Sequence, residues 1–153
     1  MTFDKLVIAD QHIEHDYETR GIVVIDHATG LMWQQSGSSY AVDYQQAEEY
    51  VEELNKNNFV GFHNWRLPTI QELSALFDTT KKNKNPLFDY VLYIDPVFDI
   101  KQAWCWSSSI IDELGMAWCV LFNSGILLWG MSHHKGNFVR AVRTIQKGEE
   151  VCK

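Results

Sequence analysis

The strongest constraint on the fold of this chain is residues 64–69, Asn-Trp-Arg-Leu-Pro-Thr, which run directly into the patterned stretch 70–77. Thr69 and Glu72 have the spacing of a capping box, in which each side chain accepts a hydrogen bond from the other residue's backbone amide. Pro68 disfavours helical backbone in the residue before it, and this sharpens the beginning of the helix. The segment therefore predicts a helix that begins immediately after Thr69.

The apolar residues after this cap recur at helical spacing and share one face: Ile70, Leu73, Leu76 and Phe77. Before the helix, Trp65 and Arg66 offer a large ring and a five-donor side chain that can pin a loop to the core. Trp beside Arg is also the composition of a binding hot spot. We interpret Trp65, Arg66, Thr69 and Glu72 as structural residues, because they lie at the entry to a capped helix.

Composition indicates one globular domain without a polyanionic partner. The 153 residues are 46% hydrophobic, which is enough for one substantial core. The formal net charge of −7 argues against nucleic acid and against an anionic membrane as partners. Residues 81–84, Lys-Lys-Asn-Lys, are interpreted as a solvated loop. The sequence has no signal-peptide pattern and no apolar run of about 20 residues. We therefore expect a cytoplasmic protein, with secretion still open if a signal peptide has been removed.

Periodicity predicts an α+β domain over residues 21–144, between an extension at 1–20, which could add an edge strand, and a tail at 145–153. Asp43 and Gln46 open a first helix, and the capped helix follows it. Residues 78–102 have no clear period and are interpreted as long loops held by aromatic residues. The predicted strands cover 21–25, 31–33, 103–107, 117–123, 126–131 and 138–144. Helices followed by a run of antiparallel strands are typical of α+β domains.

The three cysteines are Cys105, Cys119 and Cys152. They do not form a disulfide framework, and without a Cys-x-x-Cys pair they do not predict a zinc site. A hairpin centred on Asp112 would place Cys105 opposite Cys119 and Trp106 opposite Trp118. Cysteines in such positions could cross-link, although two small buried thiols are expected in a reducing compartment.

Seven segments resemble one known family, in the same order along the chain. They are residues 28–34 (ATGLMWQ), the helix at 47–54, 64–69 (NWRLPT), 106–109 (WSSS), 117–122 (AWCVLF), 124–125 (SG) and 139–143 (VRAVR). Together they are similar to the C-terminal domain of the bacterial collagen-like adhesin Lcl. The resemblance covers residues 21–144.

This resemblance implies a C-type-lectin-like fold, with two helices packed on a twisted antiparallel sheet and long irregular loops. Variable proteins of diversity-generating retroelements and the formylglycine-generating enzyme domain belong to the same fold group. The resemblance implies that the NWRLPT segment and the last strand, with Arg140 and Arg143, are scaffold. It also implies an exposed ligand-binding surface between the Trp-Ser-Ser strand and the last strand, made of Trp106, Ser108, Asn123, Trp129, Ser132, His133, His134 and Asn137.

The chain departs from this family at three positions. Members commonly carry cysteines where this chain has Val51 and Ala141, and the loss of both fits a protein outside an oxidising compartment. Many members have aspartate at the position of Asn64. If that aspartate pairs with the arginine of the motif, Arg66 here needs another acid or a neutral partner.

Two patterns could support chemistry, and each has a structural interpretation that we favour. Serines 107–109 could combine with His133 or His134 in a hydrolase triad, but the sequence lacks a nucleophile-elbow pattern. His12 and His15 could hold a metal from one helix face. These two histidines lie outside the resemblance, so we do not predict a metal there.

A cysteine pair and a calcium site are the other functional features of this fold group. Cys105 and Cys119 suggest the copper-dependent oxidation of formylglycine-generating proteins, but the flanking motifs belong to the other branch of the fold. The Glu-Pro-Asn or Gln-Pro-Asp loop of calcium-dependent lectins is absent from the sequence. We therefore expect neither an enzyme nor a bound cofactor.

The leading hypothesis is a non-enzymatic module that binds a protein or a glycan through exposed strands and loops of the C-terminal half. Trp129, Met131, His133, His134 and Asn137 combine apolar area with polar tips, as contact surfaces do. Alternatively, Trp129 and Met131 point inward, and the pattern along the strand does not decide between the two. A second hypothesis is an intracellular accessory domain for a partner such as a kinase or a toxin, because the acidic excess favours basic partners. The ligand and the oligomeric state stay open.

Overall fold

The computed structural model describes residues 5–7, 13–84, 89–111, 115–131 and 135–149, with the backbone alone at 5–7 and 131. The strands of this part of the chain are β1 (Lys5–Val7), β2 (Tyr17–Arg20), β3 (Val23–Asp26), β4 (Leu31–Gln34), β5 (Asn83–Lys84), β6 (Val91–Leu92), β7 (Trp104–Ile111), β8 (Met116–Leu121), β9 (Ile126–Met131) and β10 (Val142–Thr144). The helices are α1 (Tyr44–Lys56) and α2 (Ile70–Ser74), with a 3-10 helix at Phe59–Gly61 between them.

One sheet pairs the late strand β10 with three early strands, in the antiparallel order β10-β4-β3-β2. Its central strands β3 and β4 are buried along their whole length. Trp33 lies between Val24 on one neighbouring strand and Val142 on the other. Gly30 closes the β3–β4 turn at φ +71°, a conformation that glycine adopts without a steric penalty. The predicted strand at 31–33 is confirmed, while the one predicted at 21–25 begins only at Val23, because Gly21 and Ile22 form the turn after β2.

A second antiparallel sheet has the order β1-β9-β8-β7, and a third consists only of β5 and β6. The extension at 1–20 adds edge strands, as predicted, because β1 pairs with β9 and β2 pairs with β3. The predicted last strand is shorter than expected. Only Val142–Thr144 forms a ladder, while residues 138–141 bond to loops, to β7 and, at Ala141, to Gln34 at the end of β4.

The register of the β7–β8 hairpin differs from the predicted one. Cys105 lies opposite Val120 and Trp106 lies opposite Cys119, so the predicted pairs Cys105–Cys119 and Trp106–Trp118 are wrong. The pairing shifts between Trp106 and Ile110, where three residues of β7 face one residue of β8. At Cys105 and Trp106 the observed pairing differs from the predicted one by one residue, and a difference of one residue moves each side chain to the other face of a sheet. Cys105 and Cys119 therefore point to opposite faces.

The outer edge of β7 is covered by two irregular segments rather than by another strand. Trp106 donates its backbone N–H to the Phe138 carbonyl (3.0 Å), and the Phe138 N–H returns to the Trp104 carbonyl (2.7 Å). Further along, the Ser108 N–H donates to the Pro68 carbonyl (2.7 Å). These bonds satisfy an edge that would otherwise offer unpaired backbone groups to other chains.

The β7–β8–β9 sheet separates two apolar clusters. Cys105 and Val120 belong to the cluster that contains Trp33 and the α2 side chains. On the other face, the second cluster consists of Val23, Ile25, Met32, Ala47, Val51, Trp65, Leu67, Trp106, Ala117, Cys119, Val139 and Ala141. Alternate residues of one strand thus pack into different cores.

Both helices begin with the predicted capping boxes. At α1, the Asp43 carboxylate accepts from the Gln46 N–H (2.8 Å), and the Gln46 side chain accepts from the Asp43 N–H (3.1 Å). At α2, Thr69 and Glu72 exchange the same two bonds at 3.1 and 2.9 Å. The domain is therefore α+β, with helices on antiparallel sheets, as predicted. Within the described ranges, no helix is long and apolar enough to cross a membrane.

Candidate functional site

The NWRLPT segment holds α2 and α1 together. The Asn55 side chain on α1 clamps the Trp65 backbone, because it accepts from the Trp65 N–H (2.7 Å) and donates to the Trp65 carbonyl (2.9 Å). The indole N–H of Trp65 donates to the Phe59 carbonyl (3.1 Å), and the two rings meet edge to face. Trp65 is 3% exposed, so a surface ligand does not reach its ring.

Arg66 is paired by the capping glutamate. Its guanidinium donates to both Glu72 oxygens, at 2.7 and 2.8 Å, in the two-pronged geometry that favours such pairs. Burial alone would raise the pKa of Glu72, but the bonds from Arg66 and Thr69 outweigh it and hold the pKa below its usual value. Because this chain has Asn64 where the resemblance implies an aspartate, Arg66 needs another acidic partner. That partner is Glu72.

Asn64 itself bonds to Arg143, one of the two scaffold arginines in the last segment. Its side-chain oxygen accepts from Arg143 Nε at 2.7 Å. Glu149 accepts from both terminal nitrogens of Arg143, at 2.8 and 2.6 Å, and the guanidinium lies over the Phe62 ring, 3.7 Å from its centroid. Arg143 is 1% exposed, so all of its donors point into the protein.

Arg140 is fully buried and bonds mainly to carbonyl oxygens. Its terminal nitrogens donate to the carbonyls of Gln34 (2.9 Å), Gln35 and Asp99 (2.8 Å), and to the Gln102 side chain (3.3 Å). Its Nε has no hydrogen-bond partner within the described residues. Burial lowers the pKa of this guanidinium from its usual value. Arg140 thus ties the last segment to the loops around β4.

The serines of the WSSS strand are engaged in backbone bonds. Ser107 Oγ donates to the Trp118 carbonyl (2.8 Å) and accepts from the Ser109 N–H (3.1 Å). Ser109 Oγ accepts from the Ile70 N–H (3.1 Å), at the first residue of α2. These bonds fix the β7 irregularity and seat α2 on the sheet, which is a structural role.

A His–Asp pair lies at the β3–β4 turn, but its geometry does not suit a general base. His15 Nδ1 and the buried Asp26 carboxylate are 2.6 Å apart, while His15 Nε2 is 2.7 Å from the Ala75 carbonyl. Both ring nitrogens are therefore occupied, and the His15 side chain is only 10% exposed. His12, the other half of the candidate metal pair, lies outside the described residues. Elsewhere in the described chain, no group of three His, Cys, Asp or Glu residues could hold a metal ion.

The cysteines of β7 and β8 are buried thiols. Cys105 and Cys119 are both free, and burial raises the pKa of each thiol to about 12. A thiol with so high a pKa is a poor nucleophile and metal ligand at neutral pH. Because the two also point to opposite faces of the sheet, they do not form a reactive pair.

Two residues of the expected ligand surface lie inside the protein instead. Trp106 is 0% exposed. Its indole N–H donates to the Val42 carbonyl (2.8 Å), and its ring packs edge-on against Tyr44 of α1. Asn137 is 7% exposed and its backbone bridges to Val42. Both were expected at the surface, and that expectation is wrong because α1 and the segment before it cover this part of the sheet.

The other expected surface residues have different surroundings. Ser108 and Asn123 are exposed, while Trp129 is half-buried and meets Trp118 edge to face, 4.7 Å between centroids. Ser132, His133, His134 and the side chain of Met131 lie outside the described residues. Only Ser108, Asn123 and Trp129 thus keep a described, accessible position.

An aromatic pocket lies at the exposed end of β7. It has a volume of about 280 Å³ and is lined by Tyr90, Lys101, Ala103, Trp104, Asn123 and Phe138. Trp104 is 40% exposed, and its indole nitrogen is 3.4 Å from the Asn123 side-chain oxygen. The lining is mostly apolar with a few polar groups at its margin, which is the usual composition of a ligand site.

Of this pocket, the sequence pointed only to Asn123. Alternation along 104–106 places Trp104 and Trp106 on one face, and it does not say where α1 stops covering that face. Tyr90 and Phe138 come from distant loops that carry no periodic signal.

Comparison with known proteins places the chain in a family. No curated protein and no solved structure matches it. The model of the Lcl C-terminal domain matches residues 22–143, which is most of the chain. The matched region includes the NWRLPT clamp, the WSSS strand and both buried arginines. The chain belongs to the family of the Lcl C-terminal domain.

Proposed function

We propose that this domain is a non-enzymatic binding module, which recognises a protein or a glycan through exposed strands and loops of its C-terminal half. The observation that carries the proposal is the aromatic pocket at the end of β7. Three rings, from Tyr90, Trp104 and Phe138, surround a cavity of about 280 Å³. Exposed apolar residues that are grouped in a concave site commonly mark a place where a ligand or a partner binds.

The polar groups at the margin suit recognition rather than catalysis. Lys101 supplies a cation, and Asn123 supplies an amide that can donate and accept. The described residues that line the pocket include no serine, cysteine, histidine or carboxylate. Aromatic faces with a few amide and ammonium groups can bind a sugar ring or an apolar side chain of a protein.

The C-type-lectin-like fold is part of the same proposal. Family membership and the α+β arrangement of helices on antiparallel sheets support it. Such a scaffold would present β7 to β9 and their loops as the variable surface. Ser108, Asn123 and Trp129 would then belong to the margin of the binding surface, with Trp104 at its centre.

A carbohydrate array, together with affinity capture from the native cytoplasm, tests the proposal. Trp104→Ala should abolish the strongest signal of the wild type, whether that signal is a glycan or a captured protein. Tyr40→Ala is the matched control, because Tyr40 is a 79% exposed aromatic residue outside the pocket. Equal binding by wild type and Trp104→Ala would refute the assignment of the pocket, and so would an equal loss in Tyr40→Ala.

A further inference from the structure

A second concave surface lies between α1 and the 3-10 helix. This α1 groove has a volume of about 380 Å³, and its apolar lining is Tyr50, Leu54, Phe59 and Val60. Tyr50, Glu53, Leu54 and Asn57 follow the i, i+3, i+4, i+7 spacing, so they lie along one face of the helix. None of the groove's lining residues belongs to the aromatic pocket at β7.

Val60 is the most unusual residue of the α1 groove. It adopts φ 47° and ψ 29°, a left-handed conformation that is strongly disfavoured for a β-branched side chain. It is also 41% exposed. Glycine or asparagine would avoid both penalties at such a turn. Valine therefore combines a strained backbone with an apolar side chain that is left accessible at the groove.

The turn is held in this conformation by its neighbours. The Gly61 N–H donates to the Asn58 carbonyl (2.7 Å), and the Phe62 N–H donates to the Phe59 carbonyl (3.1 Å). The same Phe59 carbonyl also accepts the Trp65 indole N–H (3.1 Å). The clamp therefore fixes the backbone, and Val60 is held at the surface beside the cavity.

The charge around the α1 groove indicates what kind of partner fits it. Glu48, Glu49, Glu52 and Glu53 are all exposed on α1. They form two like-charged i, i+4 pairs, which weaken a helix. No salt bridge within the described residues includes any of them. A partner with positive charge would relieve this repulsion, whereas a second copy of a chain with net charge −7 would add to it.

We propose that the α1 groove docks a polypeptide segment of another protein, in which one apolar side chain is flanked by lysine or arginine. The apolar side chain enters the cavity against Leu54, Phe59 and Val60. The basic residues lie opposite Glu49 and Glu53, one helical turn apart on α1. Such docking combines a buried apolar anchor with a charged rim, as peptide-binding grooves do.

A peptide array of defined composition is the test. The probes are 12-residue peptides with a central Leu, Ile, Phe or Trp flanked by two or four lysines or arginines, and the same peptides with glutamate flanks. The full chain should bind basic members and not acidic ones. Raising the salt from 0.05 to 0.5 M should weaken binding, because exposed charges are screened.

Two variants address the anchor and the rim separately. Val60→Gly should weaken binding about 3- to 10-fold by removing apolar contact. Glu49→Gln combined with Glu53→Gln should weaken it about 2- to 30-fold, as expected for two exposed charge pairs. The matched control, Glu14→Gln with Asp89→Asn, makes the same change in net charge at exposed residues away from the groove and should leave binding unchanged.

Three results would overturn the proposal. One is the absence of binding to any basic peptide, and another is an equal loss in the control pair, which would indicate attraction by net charge alone. The third is concentration-dependent self-association in sedimentation that the Glu49→Gln, Glu53→Gln double variant abolishes, because the occupant would then be a second copy. A folded Val60→Gly protein, checked by circular dichroism, keeps loss of binding distinct from loss of structure.

Discussion

Replacement of Glu72 tests whether one carboxylate both caps α2 and anchors the NWRLPT segment. Its Oε1 accepts from the Thr69 N–H at 2.9 Å and from Arg66 Nη1 at 2.7 Å, and its Oε2 accepts from Arg66 Nη2 at 2.8 Å. Glu72→Gln keeps an amide oxygen for the cap but removes the ion pair. Glu72→Ala removes both interactions, so the two variants separate the two roles.

The expected losses follow from exposure and geometry. An exposed ion pair contributes about 0.2–1 kcal/mol. The Arg66 and Glu72 side chains are 38% and 22% exposed, so solvent screens the pair, while the two-pronged geometry favours the upper end of that range. A capping interaction contributes about 1 kcal/mol. The free energy of unfolding should therefore fall by about 1 kcal/mol in Glu72→Gln and by about 2 kcal/mol in Glu72→Ala.

The pH dependence has a definite sign. Burial opposes ionisation of Glu72, but its bonds from Arg66 and Thr69 outweigh burial and lower its pKa in the folded protein. A carboxylate of this kind stabilises the protein above its unfolded pKa, which is about 4.3. That contribution is lost as the pH falls through the lower, folded pKa. The stability difference between wild type and Glu72→Gln should therefore be complete at pH 7 and shrink from pH 4 to pH 3.

Urea denaturation followed by tryptophan fluorescence at pH 7, 5, 4 and 3 measures both effects. Glu14→Gln is the matched control, because Glu14 is an exposed carboxylate outside the helices and without an ion pair in the described chain. A double-mutant cycle with Arg66→Met isolates the coupling between the two side chains. The reasoning is refuted if Glu72→Gln destabilises as much as Glu72→Ala, or if the difference from wild type stays constant down to pH 3.

Three further substitutions or reactions test other parts of the structure. Val60→Gly should be more stable than Val60→Ala by about 1 kcal/mol in urea denaturation, because alanine keeps the left-handed strain; the usual order, with alanine more stable, would contradict it. Gly37→Ala should lower the free energy of unfolding by at least about 3 kcal/mol, because its Cβ would lie 1.7 Å from the Val139 carbonyl oxygen. A melting temperature near that of the wild type would contradict this close contact between the two backbone segments. Cys105 and Cys119 should resist alkylation until the protein unfolds, because they are buried and the pKa of each is about 12; modification under native conditions, located by mass spectrometry, would exclude this packing.

The parts of the fold that could be predicted depend on local interactions. Both capping boxes are defined by residues three apart, so Asp43 with Gln46 and Thr69 with Glu72 are visible in the sequence alone. The β3–β4 hairpin has the same local character, with glycine at the position of positive φ. Such contacts need no knowledge of the rest of the fold.

The parts that could not be predicted depend on register and on distant segments. The hairpin pairing of β7 and β8 differs from the prediction because Ile111 faces Met116, so the hairpin is not centred on Asp112. Residues 107–109 then face the single residue Trp118, and this irregularity shifts the pairing by two residues. Serine at these positions gives no sign of such an irregularity. Because Cys105 pairs with Val120 and Cys119 pairs with Trp106, the two cysteines point to opposite faces, so the expectation of an opposed pair fails. The partner of Arg143 was likewise unpredictable, because Asn64 lies 79 residues away from it.

The fates of Trp104 and Trp106 show how the fold separates core from surface. The two residues stand on the same face of β7, yet Trp106 is 0% exposed and Trp104 is 40% exposed. Tyr44 of α1 covers the Trp106 ring. The Trp104 ring lies beyond the reach of this helix. The same helix presents the α1 groove on its outward side. Where α1 lies therefore determines both candidate surfaces.

Because the two surfaces share no lining residue, Trp104→Ala should leave basic-peptide binding unchanged, and Val60→Gly should leave the binding at Trp104 unchanged. A loss of both activities in either variant would mean that the two surfaces form one site.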